Sequence, residues 1–214
     1  MWGLMLAAGT IALVISEHNQ YMRLRTLAKF VAVVAFLAAA YTGDLHAGSL
    51  ATQAIVAALV ASAVGDIVLL GRTESALLVG LGAFLLGHIG YIVAFWAMGV
   101  SATGVIVCAL PMIVFGGWVN RWLAPYTGDL ARPVVAYIVV ICAMVIAAGG
   151  AAWSQPDTGR LVLGSAAVVF VLSDLCVAFV RFISPGPWVR TVGLPLYFGA
   201  QWLFVQGAIQ TLAA

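Results

Sequence analysis

The sequence predicts an all-α polytopic membrane protein, a bundle of about eight transmembrane helices that forms a single domain over residues 1–214. Two observations support this prediction. Hydrophobic residues make up 64% of the chain and charged residues only 7%, whereas a typical soluble domain has about 25% charged residues. The hydrophobic residues also fall into runs separated by short polar breaks, and most runs approach the roughly 20 residues that a helix needs to cross a bilayer.

The runs cover residues 2–16, 27–41, 50–70, 75–98, 101–119, 131–152, 160–182 and 189–211. The first two are short for a membrane span. The first run has neither the positive segment nor the cleavage site of a signal peptide, so we expect it to remain as a membrane helix. Four polar residues follow it and are expected to form a solvated loop: Glu17, His18, Asn19 and Gln20.

Polar and turn-forming residues separate the remaining runs. Thr-Gly-Asp-Leu occurs at residues 42–45 and again at 127–130, and Gly-Asp is typical of turns. Arg72 and Glu74 divide the third run from the fourth. Glycine and alanine are frequent within the runs, as close helix packing in lipid requires.

Lysine and arginine are distributed unevenly among the breaks. All but one of the nine lie in or beside the odd-numbered breaks, and Arg160 is the exception. By the positive-inside rule the odd-numbered breaks face the cytoplasm. With an even number of spans, both termini then face outward, and in a bacterial cell the protein would lie in the inner membrane.

Ionisable side chains inside the runs are the candidate functional residues, because placing such a group in hydrocarbon is costly. Asp66 lies in the apolar stretch 54–70, and Asp174 lies in the stretch 161–180. Each is the only charged residue of its stretch. The two aspartates are therefore the first candidates for catalysis.

Helix geometry places several polar side chains at a similar depth. At about 1.5 Å per residue, Asp66 and Asp174 lie roughly 7 and 10 Å from the cytoplasmic ends of their helices. Four other side chains are expected to line the same cavity in the cytoplasmic half: Lys29, Tyr137, Tyr197 and Gln201. His88 and Tyr91 share a helix face and are expected at the cavity floor, about 20 Å in.

Two carboxyl groups in an apolar site suit acid–base chemistry. A desolvated carboxyl tends to hold a proton, so it can act as a general acid beside an ionised general base. The runs contain no His-x-x-x-His pair, no glutamate and no Gly-x-Ser-x-Gly elbow, so we expect no metal site, no cofactor and no serine nucleophile.

Cys108, Cys142 and Cys176 lack Cys-x-x-Cys spacing and are expected to be packing residues. A net charge of +2 without a basic tract does not indicate nucleic-acid binding.

Four motifs in this order resemble the YhhN family of integral membrane proteins. They are GDIVLL at 65–70, GLGAFLLGHIGY at 80–91, SD at 173–174 and LYFGAQWL at 196–203. Together with Lys29 and Tyr137, they extend the resemblance from about the second helix to the end of the chain. The family usually has Lys-Pro early in its second helix, where this chain has Lys29-Phe30.

The resemblance implies eight membrane helices and hydrolysis of the vinyl-ether bond of lysoplasmalogens, since the animal members are lysoplasmalogenases. The partners would be the lysophospholipid, water and membrane lipids, and the products a fatty aldehyde and a glycerophosphoethanolamine or glycerophosphocholine. Asp66 and Asp174 would be the general acid and base, in either assignment. Lys29 would bind the phosphate or hold one carboxylate ionised. Five residues would orient the head group and the water: His88, Tyr91, Tyr137, Tyr197 and Gln201.

Two other functions fit the same residues. An intramembrane aspartyl protease also uses aspartates on two helices, but its usual Gly-x-Gly-Asp is replaced here by Ala63-Val64-Gly65-Asp66, and the Tyr-Asp partner is missing. A lipid or solute carrier would use the aspartates to bind protons or a cationic head group, although the sequence lacks the internal repeat of many transporters. An enzyme would release aldehyde, whereas a carrier would bind its ligand without consuming it.

Overall fold

The computed structural model describes residues 1–19, 21–71 and 73–213, which are almost entirely helical and contain no β-strand. The helices are α1 (Trp2–Asn19), α2 (Met22–Thr42), α3 (Leu50–Val68), α4 (Glu74–Ala97), α5 (Ala102–Thr127), α6 (Ala131–Ser154), α7 (Thr158–Ala178) and α8 (Pro187–Ala213). Two short 3-10 turns, Leu45–Ala47 and Gly128–Leu130, lie between helices, and a π-helical turn at Phe179–Ile183 extends α7.

The all-α polytopic class is confirmed, but the predicted count of eight spans is not. In the described residues, the 3-10 turn Gly128–Leu130 reverses the chain between α5 and α6 and leaves no non-helical residue between them, so the eight helices form seven continuous helical stretches. Five stretches of the described chain are long and apolar enough to cross a membrane: Met22–Thr42, Leu50–Val68, Ser75–Ala97, Ala102–Ser154 and Thr158–Ile183. The helices α1 and α8 are not among them.

Helix ends differ from the ends of apolar runs where polar residues continue a helix. The helix α2 begins at Met22 rather than at residue 27, and α5 continues to Thr127 rather than ending at residue 119. Lysine, arginine and glutamate are good helix formers, so hydropathy marks the lipid boundary and not the helix boundary. The solvated loop expected after the first run is wrong for the same reason, since residues 17–19 complete α1. Gln20 lies outside the described residues.

Three helices that carry candidate site residues begin at side-chain caps. The oxygen of Ser49 accepts from Thr52 N at the start of α3, Thr73 accepts from Ala76 N at the start of α4, and Asp157 accepts from Arg160 N at the start of α7. Such caps satisfy amide groups that have no partner inside the helix. They fix where α3, α4 and α7 begin, and hence the depth of the residues along them.

Consecutive helices pack as four pairs, α1 with α2, α3 with α4, α5 with α6 and α7 with α8. The pairs are joined by packing of α4 on α6, of α6 on α7 and of α8 on α1. The helix α5 is peripheral: it packs mainly on α6 and exposes large apolar side chains such as Ile106, Leu110 and Ile113.

The close approach of α3 and α4 depends on glycines that precede two candidate site residues. A Cβ on Gly65, next to Asp66, would lie 2.8 Å from the Phe84 ring. A Cβ on Gly87, next to His88, would lie 2.7 Å from a serine hydroxyl oxygen of α3. Small residues allow helices in lipid to pack this closely. The contact holds Asp66 and His88 in the interior of the bundle.

Candidate active site

A polar chamber of about 610 Å³ opens at the end of the bundle that carries Arg25, Arg181 and Arg190, here called the arginine end. In the described part of the chain, every helix except α5 contributes to its wall. Five of the eight predicted site residues line the chamber: Lys29, Asp66, Tyr137, Asp174 and Tyr197.

The first carboxyl group, that of Asp66, is paired with Lys29. Lys29 Nζ lies 2.7 Å from Asp66 Oδ1, and it donates a hydrogen bond of 2.9 Å to the Asp66 carbonyl oxygen. Both residues are only 5% exposed. Of the two roles expected for Lys29, the structure therefore contains the contact with a carboxylate.

The second carboxyl group, that of Asp174, lies against a phenol and an imidazole. Tyr137 Oη donates a hydrogen bond of 2.7 Å to Asp174 Oδ2, and His88 Nε2 is 3.4 Å from the same oxygen. His88 Nδ1 is 2.6 Å from the Phe84 carbonyl oxygen. Because a carbonyl oxygen only accepts, Nδ1 carries a proton, and Nε2 of the neutral ring is an acceptor. Nε2 has no hydrogen-bond partner within the described residues, so His88 contacts Asp174 without a hydrogen bond to it.

The two carboxyl groups occupy separate positions on the chamber wall. Within the described residues, no hydrogen bond or ion pair joins Asp66 to Asp174. Asp66 has an ammonium group as its partner, whereas Asp174 has a phenol and an imidazole. The Asp174 side chain is also the more accessible, at 15% exposure against 8%. These different surroundings suit two different roles in one reaction.

Three predicted site residues lie behind the chamber wall rather than on its floor. His88, Tyr91 and Gln201 are fully buried, and Tyr91 Oη donates a hydrogen bond of 2.7 Å to Gln201 Oε1. The Phe170 ring stacks on His88, with 4.8 Å between centroids, and packs on Tyr197, which lines the chamber. Helix periodicity predicts the depth of a residue, but not whether an aromatic ring covers it.

The sequence interpretation missed an ionic network at the mouth of the chamber. Arg25 Nε lies 2.6 Å from Glu17 Oε1, and Arg190 Nη1 lies 3.5 Å from Glu17 Oε2. The network ties together α1, α2 and α8, and the Glu17 side chain is only 9% exposed. An acid at the end of the first apolar run, shortly before Arg23 and Arg25, was the available signal.

An apolar groove of about 230 Å³ lies beside the chamber, between α4, α5, α6 and α7. Three polar residues line both cavities: Tyr137, Asp174 and Arg181. Arg181 belongs to the π-helical turn after α7, and such turns are frequent at functional sites. The polar and apolar cavities thus meet at Asp174. No cluster of three or more metal-ligating side chains occurs among the described residues.

These features define a class: a polytopic membrane protein with a polar chamber inside its helical bundle and two carboxyl groups on the chamber wall, one buried and one partly buried. The chain belongs to the YhhN family, whose family model matches residues 24–208.

Several curated relatives are similar to most of the chain. Lysoplasmalogenase TMEM86B of Homo sapiens is 31% identical over 163 residues, which cover 75% of this chain and 65% of that protein. Lysoplasmalogenase TMEM86A of Bos taurus is 31% identical over 183 residues, 82% of this chain and 73% of that protein. A lysoplasmalogenase of Mycobacterium tuberculosis is 34% identical over 135 residues, 60% of this chain and 50% of that protein. The chain thus spans just under two thirds of the human TMEM86B protein. No solved structure matches it.

Proposed function

We propose that this chain is a lysoplasmalogenase, a membrane hydrolase that uses water to cleave the vinyl-ether bond of a lysoplasmalogen. Membership of the YhhN family and the names of the relatives support this proposal. The single observation that carries it is the meeting of a polar chamber and an apolar groove at Asp174. A single-chain phospholipid has its ether bond between a polar head and a hydrocarbon chain. The head matches the polar chamber, the chain matches the apolar groove, and the ether bond would lie where the two cavities meet.

In the proposed reaction, Asp174 donates the proton. Vinyl-ether hydrolysis begins with proton transfer to the alkenyl carbon that is not bonded to oxygen, which produces an oxocarbenium ion. Water adds to the carbon that bears the oxygen, and the hemiacetal breaks into a fatty aldehyde and the free glycerol hydroxyl. Asp174 faces both cavities, where the ether bond would lie. His88 is fully buried and acts through Asp174, so it is a positioning residue.

Asp66 is the proposed base and the carboxylate that stabilises the cation. Its negative charge is balanced by Lys29 at 2.7 Å. Its other oxygen, Oδ2, is buried and has no hydrogen-bond partner within the described residues, so an unused acceptor lies where Asp66 lines the chamber. These contacts favour Asp174 as the acid and Asp66 as the base, an assignment that the sequence leaves open.

The phosphate of the head group is proposed to bind at the arginine end, where Arg181 and Arg190 line the chamber. Arginine suits this role because its planar guanidinium group matches phosphate geometry. We also propose that the arginine end faces the cytoplasm, as the positive-inside rule predicts, and that both ends of the eight-helix chain face outside, in a bacterial cell across the inner membrane. Terminal fusions to a reporter that is active only outside the cytoplasm test this orientation: an inactive reporter contradicts it.

Aldehyde release by the purified protein in detergent tests the reaction. The substrate is an alkenyl lysophosphoethanolamine, and the acyl and alkyl analogues of equal chain length are the controls for the vinyl bond. We expect aldehyde from the alkenyl lipid alone. Asp174→Asn and Asp66→Asn should each lower turnover by about 100-fold or more, since general acid–base groups contribute about 10²–10⁴-fold.

Asp129→Asn is the matched control, because Asp129 is exposed in the turn between α5 and α6. It should keep wild-type turnover. No aldehyde from the wild-type protein would contradict the proposed reaction. Normal turnover in Asp174→Asn would contradict the role of that carboxyl group.

A further inference from the structure

We infer that the hydrocarbon chain of the lysolipid lies in the apolar groove, and that Gly82 determines how long a chain the groove accepts. The inference deepens the proposed function and rests on it for the turnover assay. Occupation of the groove is also testable by binding alone, without any reaction.

The lining of the groove fits a hydrocarbon chain with its polar end at Asp174. Apart from Tyr137, Asp174 and Arg181, all its lining residues are apolar or glycine. These three are also the polar residues shared with the chamber, so the polar part of the groove is where the head group would lie. A volume of about 230 Å³ is too small for a helix of another protein, which is about 10 Å across. A flexible methylene chain is the occupant of matching shape and polarity.

The groove is accessible from the surrounding lipid. The helices α4 and α5 both line it, yet they do not pack closely against one another. Its exposed lining residues include Leu78 on α4 and Val177 on α7. A single-chain lipid can therefore move sideways out of the bilayer, with its chain entering the groove while its head group reaches the chamber.

Gly82 leaves part of the groove empty without serving helix packing. A Cβ at Gly82 would have no other heavy atom within 4 Å. The neighbouring glycines of α4 differ: a Cβ on Gly80 would lie 2.6 Å from the Leu69 side chain, and one on Gly87 would lie 2.7 Å from Ser62 Oγ. A side chain at position 82 would thus extend into the space of the groove rather than displace another helix.

The first experiment compares Gly82→Leu with the wild-type protein on alkenyl lysophosphoethanolamines of short and long chain. We expect kcat/KM for the long-chain lipid to fall about 10-fold or more, because one methylene group in an apolar pocket changes selectivity by about 10–200-fold. The short-chain lipid should be affected much less. Gly117→Leu is the control, since a Cβ at Gly117 also meets nothing within 4 Å but Gly117 does not line the groove.

The second experiment measures binding of a long-chain alkyl lysophosphoethanolamine, which has no vinyl bond to cleave. Ligand-induced stabilisation against thermal unfolding should be smaller in Gly82→Leu than in the wild type and in Gly117→Leu. If the wild type releases no aldehyde but Gly82→Leu still weakens binding, the groove inference stands and the proposed function fails. If the wild type is active and Gly82→Leu keeps its chain-length profile and its binding, the groove inference is overturned.

A second variant covers the case in which Gly82→Leu elutes as aggregate in size-exclusion chromatography. Leu85→Ala enlarges the groove three residues further along α4. It should raise the rate on longer chains relative to shorter ones. An unchanged ratio of these rates in a folded Leu85→Ala protein would overturn the inference.

Discussion

Replacing Lys29 by methionine removes the cation from a charge pair inside the bundle. Lys29 Nζ makes two contacts with Asp66, 2.7 Å to the carboxylate and 2.9 Å to the carbonyl oxygen, and both residues are almost fully buried. Methionine is similar in length but replaces neither contact. Breaking a buried ion pair from one side costs about 3–5 kcal/mol. We expect the free energy of unfolding to fall by that amount, a large share of the typical 5–15 kcal/mol.

A double variant separates the lost attraction from the unpaired charge. In Lys29→Met/Asp66→Leu no charge remains buried at this position, so stability should return to within about 1 kcal/mol of the wild type. Denaturant unfolding in detergent micelles, followed by tryptophan fluorescence, measures both proteins. The control is Arg121→Met, at an exposed residue of α5, which should change stability by no more than about 0.5 kcal/mol.

Turnover should not follow stability in this pair of variants. Both lack the balanced Asp66 carboxylate, so neither should release aldehyde at the wild-type rate. A loss of less than about 1 kcal/mol in Lys29→Met, or a double variant no more stable than the single one, would refute the buried pair.

Three other substitutions test contacts around the chamber. Tyr137→Phe removes the hydrogen-bond donor to Asp174. Such a hydrogen bond is worth about 1.5–3 kcal/mol, so steady-state kinetics should show kcat about 10–100-fold lower at similar KM. An unchanged kcat would contradict this role of Tyr137. Tyr91→Phe leaves the buried side-chain oxygen Oε1 of Gln201 without its donor, so denaturant unfolding should show that the free energy of unfolding falls by about 1–3 kcal/mol. An unchanged free energy of unfolding would mean that Oε1 has another donor. Glu17→Gln removes the acid shared by two arginines, so its unfolding temperature should be lower and less dependent on salt than that of the wild type; equal salt dependence would argue against the network.

The depth of the chamber residues follows from the sequence because helix rise is constant. Counting residues from the polar breaks predicts a similar depth for Asp66, Tyr137 and Asp174, and all three line one chamber. The caps at Ser49, Thr73 and Asp157 keep helix starts close to the predicted run starts. The depth of a residue along its helix is therefore predictable wherever a capping side chain in the polar break fixes the start of that helix.

Contacts between distant helices did not follow from the sequence. His88 and Gln201 lie at a suitable depth but are fully buried behind the chamber wall, where Phe170 stacks on His88. Glu17 belongs to α1 and bridges two arginines, although its hydropathy is that of a loop residue. Both outcomes depend on how helices are rotated against one another, and rotation is set by packing of the whole bundle.

The peripheral position of α5 has an evolutionary consequence. This helix contributes Phe115, Val119 and Leu123 to the groove, and none of its described residues lines the polar chamber. We therefore expect mutations in α5 to alter which lipids are accepted, while the proposed proton-transfer groups on α3 and α7 stay unchanged. Family members adapted to membranes with shorter or branched lipids are expected to diverge first in α5, so that substrate range drifts independently of catalysis.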